Sequence, residues 1–309
     1  MFFFKSFVIS IVLLLISFIC EIVTLENNEC NKIIIEGGEQ ALLQLFNDFK
    51  EIKTTMQDLK AQFEDNQEIN ETKNKDLPMF DIRVDTLPKK CQRDALPKDC
   101  AEATACTHRS GFYKIQIPPY TEPPFYVECD AKTEDGDWIV IQRRQDGSVD
   151  FYRDWNEYEQ GFGDIDGEFF IGLHKLYALT NNNGPQELMV VMEDVNLKTA
   201  YAKYDAFAIA NASEMYKLKK LGRYSGTAGD SLQQSVGFKF TTKDRDNDNS
   251  NENCAVAYIG AWWYNACHWS NLNGQYGNNE FGKGVNWKTF STYTASLKFD
   301  KMMIRRRRV

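Results

Sequence analysis

The stretch CAVAYIGAWWYNACHWSNLNG, residues 254–274, carries the features that decide how the second half of the chain folds. Cys254 and Cys267 lie thirteen positions apart and flank a run rich in aromatic and small residues. A disulfide between them would clamp residues 241–284, whose composition is mostly that of loops. A loop-dominated segment this long inside a compact domain indicates a function or a bound ion. The adjacent Cys267 and His268 lack the further paired ligands of a zinc site.

An acidic loop, KDRDNDNSNENC at residues 243–254, precedes and overlaps this stretch. It carries three aspartates at every second position: Asp244, Asp246 and Asp248. Alternate carboxylates on a looped backbone can face one point, and Ca²⁺ prefers several oxygen ligands. The loop is not an EF-hand, because its sixth position is Asn249 instead of Gly and its twelfth is Ala255 instead of Glu. Composition alone fits a solvated acidic loop and a calcium site equally well.

Short apolar and aromatic runs alternate with Gly, Asn and Asp clusters from about Cys100 onward. These runs predict strands at residues 138–142, 168–173, 187–192, 207–210 and 237–240. Segments 154–158 and 172–179 have the pattern of short helices. With 43% hydrophobic and 26% charged residues among 309, the chain is globular in composition. The fold class predicted is α+β, with few helices.

The first residues have the composition of a secretory signal. Lys5 precedes the apolar run 7–19, which is shorter than the roughly 20 residues of a membrane-spanning helix. We predict a signal peptide over residues 1–20; an uncleaved anchor is the alternative. No second apolar run approaches membrane length, so no stable membrane span is expected. Sequons at Asn70 and Asn211 predict N-glycosylation in a secreted, extracellular protein.

Residues 36–70 predict a coiled-coil stalk. Apolar residues there fall at alternating spacings of three and four: Leu42, Leu45, Phe49, Ile52, Met56, Leu59 and Phe63. We expect a homo-oligomer through this segment; the alternative is a lone amphipathic helix packed on the globular domain. Residues 71–96 contain Pro78 and Pro88 with mixed charge and predict a linker, which places the globular domain at 97–309.

The eight cysteines are expected to pair in an oxidising extracellular space. Cys100, Cys106 and Cys129 compete for one or two partners, and Cys30 and Cys91 are candidates for interchain bonds. Spacing alone does not decide the pairing.

The net charge of −8 argues against a nucleic-acid partner, because phosphate binding needs a basic face. The only basic run, residues 305–308, is interpreted as a solvated tail.

A series of separated motifs resembles the fibrinogen C-terminal domain family from about Pro97 to Arg306. In chain order they are GSVDFYRDW (147–155), GFG (161–163), GEFFIG (167–172), GRYSG (222–226), AGDSL (228–232), GAWWY (260–264), Cys267-His268, SNLNG (270–274) and Trp287. The sequence looks most similar to arthropod fibrinogen-related lectins, tachylectins and ficolins, which are secreted pattern-recognition lectins. The collagen-like stalk of ficolins is not found.

The resemblance implies a central antiparallel sheet with a loop-rich calcium and ligand subdomain. It implies the disulfides Cys100–Cys129 and Cys254–Cys267, and leaves Cys106 as a rival for Cys129 or a partner of Cys91. It also implies a Ca²⁺ site whose ligands match four positions: the carboxylates of Asp246 and Asp248 and the backbone carbonyls of Ser250 and Glu252.

The resemblance further implies a pocket for an acetyl group, with aromatic walls for the methyl and backbone N–H groups for the carbonyl. The matching residues are Tyr258, Cys267, His268, Phe281, Gly282 and Tyr293. Phe281 replaces the usual Tyr, and Gly282 replaces a common Ala, which we expect to enlarge the pocket floor. Ala266 stands where Asn is frequent, before a peptide bond that is cis in some members.

We therefore expect a calcium-dependent lectin for acetylated carbohydrates on microbial or host surfaces. The alternative is an adhesion protein or ligand of a cell-surface receptor. Ala257 and Tyr258 stand where the fibrinogen polymerisation hole has Gln and Asp, which disfavours a clotting role. The string GDSL at residues 229–232 matches an esterase motif, but no D-x-x-H follows it, so we do not expect an enzyme.

Overall fold

The computed structural model describes residues 95–118, 123–182 and 184–308. The predicted signal peptide, the coiled coil with Asn70, and the linker up to residue 94 lie outside these residues. So do Cys30 and Cys91.

An antiparallel sheet forms the centre of the domain, which confirms the α+β class. Its strands are β1 (Gly111–Ile115), β2 (Phe125–Asp130), β3 (Trp138–Arg144), β4 (Phe162–Gly163), β5 (Phe169–Phe170), β6 (Gln186–Glu193), β7 (Thr199–Ile209), β8 (Leu218–Leu221), β9 (Tyr224–Gly226) and β12 (Phe299–Arg306). The main order is β1-β2-β3-β12-β6-β7-β8. The last strand therefore lies in the middle, where Met303 pairs with Val140 on one side and Met189 on the other.

Short helices, three 3₁₀ turns (Thr133–Asp135, Ala212–Glu214 and Gln233–Ser235) and one small ribbon complete the described elements. The helices are α1 (Cys100–Thr104), α2 (Trp155–Gln160), α3 (Leu173–Asn182), α4 (Cys254–Ala257) and α5 (Lys288–Ser291). The ribbon pairs β10 (Ser270–Asn271) with β11 (Asn286–Trp287). No helix in the described ranges is long and apolar enough to cross a membrane.

Both predicted helices are found, and local sequence explains the first of them. Asp154 caps α2 by accepting the Glu157 N–H, and the Glu157 side chain accepts the Asp154 N–H in return. The helix ends at Gly161, whose φ of 94° suits glycine. The second predicted helix extends three residues beyond 179, to Asn182.

The predicted strand at 237–240 is wrong. Gly237 takes a φ of 86° directly after a 3₁₀ turn, which breaks the extended run. Backbone hydrogen bonds join this segment to Leu218 and Met215 without forming a strand. The other four predicted strands are found, although 168–173 contains only the two-residue β5.

The basic run at the end of β12 is only in part the solvated tail expected from the sequence, because Arg306, Arg307 and Arg308 are exposed whereas Arg305 is not. Arg305 is buried, its Nε donates to Glu187 at 2.9 Å, and its guanidinium lies 4.2 Å from the centre of the Trp138 ring. The next three arginines each lie beside an aspartate: Arg306 by Asp99, Arg307 by Asp205 and Arg308 by Asp137. These acidic partners are distant in sequence, so composition alone could not reveal them.

A buried ionic cluster holds the loops beneath the ligand subdomain. Arg144 donates from Nη1 to the carbonyls of Leu272 (3.0 Å) and Gly274 (2.7 Å). Its Nε lies 3.7 Å from Glu168, which accepts four backbone N–H groups of residues 145–149. The network thereby fixes both loops to the central sheet.

The domain contains the two disulfides that the resemblance implies. Cys100 in α1 bonds to Cys129 in β2, with Cα atoms 5.4 Å apart. Cys254 bonds to Cys267, with Cα atoms 5.6 Å apart. Cys106 therefore does not replace Cys100 as partner of Cys129; it is disulfide-bonded itself.

Candidate ligand-binding site

A cavity of about 310 Å³ lies in the loop-rich subdomain, at the position predicted for the ligand. Five of the six predicted pocket residues line it: Tyr258, Cys267, His268, Phe281 and Tyr293. Five further residues that sequence reasoning did not single out as binding residues complete the lining: Gln234, Ser235, Asn265, Ala266 and Trp269. Two of these carried a signal in the sequence: Ala266, which the resemblance places before a peptide bond that is cis in some members, and Trp269, an aromatic residue next to His268.

Aromatic rings form the walls of this cavity. The rings of Tyr258 and Tyr293 meet the His268 imidazole edge-on, with centroids 4.7 and 5.7 Å away. The Tyr293 hydroxyl donates to the His268 carbonyl at 2.8 Å, which fixes that wall. Phe281 packs on Tyr293 at 4.9 Å and is 62% exposed, so it forms the outer rim. The aromatic part of the wall therefore offers a methyl group an apolar surface, whereas Gln234, Ser235 and Asn265 make the rest of the lining polar.

His268 stays uncharged at neutral pH. Burial lowers its pKa to about 4, against a smaller raising effect of the Gly282 backbone. Both ring nitrogens are buried, and neither meets the geometry of a full hydrogen bond, although the Gly282 backbone lies near enough to act on the ring. The imidazole is therefore an uncharged ring whose nitrogens are shielded, and it contributes to the wall through its ring carbons.

Gly282 does not enlarge the pocket floor, contrary to the sequence-based expectation. A Cβ at this position would lie 2.7 Å from two carbons of the Tyr258 ring, so the ring occupies the space of the missing side chain. The backbone φ of 76° also favours glycine. Gly282 therefore lets Tyr258 pack closely, and it lies behind the cavity lining instead of forming it.

Asn271 joins two sides of the site from beneath. Its buried Nδ2 donates to the carbonyls of Tyr258 and Gly282, both at 3.2 Å. Its Oδ1 accepts the Tyr264 hydroxyl at 2.7 Å. One amide thereby fixes the relative position of two predicted pocket residues. The sequence contains Asn271 in the SNLNG motif, but the motif gives no sign of this positioning role.

Helix α4 and the second disulfide present the wall residues. Asn253 caps α4 by accepting the N–H groups of Ala255 (2.8 Å) and Val256 (3.3 Å), and Tyr258 follows the helix directly. The Ala266–Cys267 peptide bond is cis. Within the described ranges, no hydrogen bond uses the backbone N–H of Cys267 or His268, so both donors are available to a ligand.

The acidic loop separates its three aspartates. Asp244 accepts the Trp155 N–H at 2.9 Å and the Thr242 hydroxyl at 2.7 Å, which directs it to the start of α2. Asp248 accepts the N–H groups of Ser250 (2.8 Å) and Cys254 (2.9 Å).

The two remaining carboxylates, of Asp246 and Asp248, lie near each other. Burial raises the pKa of Asp248 although the Cys254 and Ser250 N–H groups lower it, and the charge of Asp246 raises it further. Only this pair, therefore, is placed to share a cation.

The oxygen atoms of this loop suit a hard cation. No described Lys or Arg pairs with Asp246 or Asp248, since none appears among the ion pairs of the domain. The backbone carbonyls of Ser250 and Glu252 accept no hydrogen bond from any described residue. No group of three or more His, Cys, Asp or Glu in this part of the chain could hold a metal. A cation here would need the two carboxylates together with main-chain oxygens, a donor set that fits Ca²⁺.

Direct hydrogen bonds connect the acidic loop to the cavity. The Asn249 backbone N–H donates to the Asn265 carbonyl at 3.0 Å, and its Nδ2 donates to the Asn265 Oδ1 at 3.1 Å. Asn265 in turn donates from its N–H to the Cys267 carbonyl at 2.8 Å. A change in the loop therefore acts directly on Asn265 of the cavity lining and, through Asn265, on Cys267.

The other candidate residues have structural surroundings. Ser231 of the GDSL string is buried, with its hydroxyl 2.9 Å from Thr289 Oγ1. Trp262 and Trp263 are fully buried core residues. Asn211, the sequon in the described part, is exposed and caps a 3₁₀ turn with its Oδ1; its glycosylation stays a prediction.

Over residues 96–307 the chain matches the family model for the C-terminal globular domain of fibrinogen beta and gamma chains. It is 43% identical over 212 residues to tenascin-R of Gallus gallus, which covers 68% of this chain and 15% of that protein. It is 42% identical over 229 residues to fibrinogen C domain-containing protein 1 of Homo sapiens, covering 71% and 49%. The match thus spans less than half the length of these relatives.

Two solved structures show the same fold. The fibrinogen-like globe domain of human ANGPTL2 is 44% identical with a TM-score of 0.66, covering 69% of this chain and 100% of that one. A lamprey fibrin D-dimer in complex with the peptide Gly-His-Arg-Pro-amide is 28% identical with a TM-score of 0.64, covering 89% and 94%. None of the four proteins is an arthropod lectin, tachylectin or ficolin, so that finer placement stays a hypothesis.

Proposed function

Because the chain belongs to the fibrinogen C-terminal domain family, we propose that it is a secreted, calcium-dependent lectin for acetylated glycans. The observation that supports this most directly is the aromatic cavity between Tyr258, His268 and Tyr293. Its size suits a small substituent of a sugar better than a whole oligosaccharide. The proposed role is binding and not catalysis.

The chemistry of the lining explains why an acetyl group would fit. Its methyl would contact the edges of the aromatic rings, where burial of apolar area stabilises the complex. Its carbonyl oxygen would accept hydrogen bonds from the N–H groups of Cys267 and His268, which have no other partner in the described ranges. The uncharged His268 keeps the pit apolar at neutral pH.

Calcium would be held by the carboxylates of Asp246 and Asp248 and the carbonyls of Ser250 and Glu252. A bound divalent cation would neutralise two carboxylates that otherwise repel each other. The hydrogen bonds from Asn249 to Asn265 then keep the ordered loop against the cavity lining. We infer that ligand binding depends on calcium through this contact.

Secretion and self-association complete the proposal. Two disulfides in one domain are typical of extracellular proteins, which agrees with the predicted signal peptide. A single pocket of this size should bind with a Kd of roughly 1 mM, about −4 kcal/mol. A homo-oligomer through the predicted stalk would raise the avidity about 10²–10⁴-fold where several sites engage together.

Retention on an N-acetylated resin tests this function. We expect the secreted protein to bind in calcium, to elute in chelator, and to elute with free N-acetylglucosamine. The variant Asp246→Ala should lose retention in calcium, whereas Asp135→Ala removes an exposed acid distant in sequence and should retain it. A folded wild type that passes through the resin in calcium would contradict the proposal.

A receptor or adhesion ligand is the second candidate. The similar lamprey fibrin D-dimer was solved with a bound peptide, and the exposed rings of Phe281 and Trp269 extend the apolar rim. In that case a protein partner would be captured whether or not N-acetylglucosamine is present. Competition by the sugar therefore separates the two functions.

A further inference from the structure

Two fully buried polar side chains, Gln142 and Asp300, lie on the adjacent strands β3 and β12 of the central sheet. Gln142 Nε2 donates to the Leu272 carbonyl at 3.2 Å and to Asn273 Oδ1 at 3.4 Å. The Asn273 Nδ2 in turn donates to the Ala261 carbonyl at 3.0 Å. The Gln142 amide therefore joins the central sheet to two segments of the loop-rich subdomain.

Three oxygen atoms of this buried pair lack a donor. They are Gln142 Oε1 and both carboxyl oxygens of Asp300, none of which has a hydrogen-bond partner in residues 95–118, 123–182 and 184–308. Burial raises the pKa of Asp300 to about 8, against lowering effects of Arg144 and of the Gln142 amide, so that amide lies near enough to act on the carboxyl. Buried acceptors without a donor cost free energy. One proton on Asp300 supplies the missing donor, because its O–H can donate to Gln142 Oε1.

The charges around Asp300 indicate that it carries this proton. Within the described ranges, the charged groups that act on Asp300 are Arg144 and Glu168. The strand on its other side, β6, places the apolar Met192 opposite it. The other titratable groups that act on Arg144 are Tyr158 and Tyr276. Arg144 Nε lies 3.7 Å from Glu168, and Glu168 accepts four backbone N–H groups. One guanidinium thus faces two buried carboxyls, of which only Glu168 is supplied with donors, so the proton belongs on Asp300.

We propose that Asp300 is a pH-sensitive switch whose proton holds the Gln142 amide in the orientation that binds residues 272 and 273. In the protonated state Asp300 donates to Gln142 Oε1, which leaves Nε2 for the Leu272 carbonyl and Asn273. When the proton leaves to bulk water, the carboxylate repels Oε1 and attracts Nε2, so the amide turns over. Its oxygen then faces two acceptors, and the loop loses both hydrogen bonds. The inference rests on this buried pair and not on the identity of the ligand.

The released loop adjoins the candidate binding site. Asn271, one position before Leu272, holds the carbonyls of Tyr258 and Gly282. Arg144 still donates to the Leu272 carbonyl at 3.0 Å, so the loop loosens without unfolding. The walls of the cavity should therefore be held firmly at neutral pH and loosen in alkaline solution.

NMR of the secreted protein, labelled with ¹⁵N in its Asn and Gln side chains, tests the switch. We expect the amide signals of Gln142 and Asn273 to shift together between pH 6.5 and 9, with one midpoint near 8. Asn273 is the decisive reporter, because its side chain bonds Gln142 and Ala261 and none of its hydrogen bonds goes to Asp300. The exposed Asn196, on the turn between β6 and β7, should not shift and serves as the reference.

Three variants identify the groups responsible. Asp300→Asn keeps a donor for Gln142 Oε1 but cannot ionise, so both signals should stay at their neutral-pH positions up to pH 9. Asp135→Asn removes the same charge from an exposed site and should titrate like the wild type. Gln142→Met removes the amide itself, so the Asn273 signal should no longer respond to pH.

Each result decides for or against the switch. A shared midpoint of Gln142 and Asn273 that disappears in Asp300→Asn, and an Asn273 signal that is independent of pH in Gln142→Met, would support it. A wild-type Asn273 signal that stays fixed up to pH 9 overturns it, whether or not Gln142 shifts. A shift of Asn273 that persists in either variant also overturns it.

Discussion

The substitution Asn271→Asp removes the amide donors under the site while keeping the size of the side chain. The retained oxygen can still accept the Tyr264 hydroxyl, which lies at 2.7 Å. The carbonyls of Tyr258 and Gly282, now each 3.2 Å from an N–H donor, would instead face an oxygen. With the Asn286 amide in the orientation that satisfies both its oxygen and its nitrogen, its Nδ2 also donates to the Gly282 carbonyl at 3.2 Å, so the larger loss falls on Tyr258.

The magnitude follows from these contacts. A buried carbonyl left without its donor costs about 1–3 kcal/mol. A carboxylate without a cationic partner adds a desolvation cost, which the protein reduces by raising the pKa of the new group. We therefore expect Asn271→Asp to lower the free energy of unfolding by about 2–5 kcal/mol at pH 7. The displaced Tyr258 should also weaken ligand binding.

Urea unfolding with the disulfides intact measures the effect as a shift of the midpoint at constant m. Since the new carboxyl has a raised folded-state pKa, its protonated form is favoured in the folded protein. The loss should therefore be smallest at pH 4 and grow as the pH rises through that pKa. Asn196→Asp, at an exposed site where only the backbone N–H is bonded, is the control and should change stability by less than about 0.5 kcal/mol.

Two results would refute the reasoning on Asn271. One is a loss at pH 7 no larger than that of Asn196→Asp. The other is a loss that is the same at pH 4 and pH 7, because an amide-donor role requires partial rescue by protonation.

Burial raises the pKa of Asp300 to about 8 despite the adjacent Arg144. The free energy of unfolding should therefore fall by about 1.4 kcal/mol per pH unit between pH 4 and 8. Asp300→Asn cannot ionise and should remove that slope in urea unfolding at pH 5 and 7. Equal slopes of wild type and variant would contradict this. Since burial lowers the pKa of His268 to about 4, its NMR signals should not titrate above about pH 5. The stability that the neutral ring contributes is present above the pKa of His268 in the unfolded chain and is lost as the pH falls through 4. A titration midpoint near 6.5 would refute this. Gly282→Ala should lower stability in thermal unfolding by about 1 kcal/mol more than Gly277→Ala. Both glycines have a φ above 70°, but only the Cβ added at Gly282 meets a neighbour, the Tyr258 ring. Equal losses would show that the Tyr258 ring moves aside freely.

Local patterns predicted the fold well because motif order is preserved along the chain. The α+β class followed from local patterns, whereas the family and both domain disulfides followed from the resemblance carried by the series of motifs. Five of the six predicted pocket residues line one cavity for the same reason. The strand predicted at 237–240 fails because the apolar residues Phe238 and Phe240 follow a Gly237 with positive φ, and composition does not report a dihedral angle.

Features that depend on long-range contacts were not predictable from the sequence. The regular spacing of the three aspartates does not distinguish Asp244 from Asp246 and Asp248. In the structure, the N–H of Trp155, 89 positions earlier, binds the Asp244 carboxylate and directs it away from the other two. The burial of Arg305 was not predictable because its acidic partner, Glu187, lies 118 positions upstream. Asn271 gave no local sign that its amide holds both Tyr258 and Gly282.

A crystal structure grown with calcium and N-acetylglucosamine tests the central claim most directly. The account predicts difference density for the acetyl group between Tyr258, His268 and Tyr293, and a cation between Asp246 and Asp248. Density for the sugar at another surface, or an empty cavity and loop at saturating concentrations of both, would contradict it.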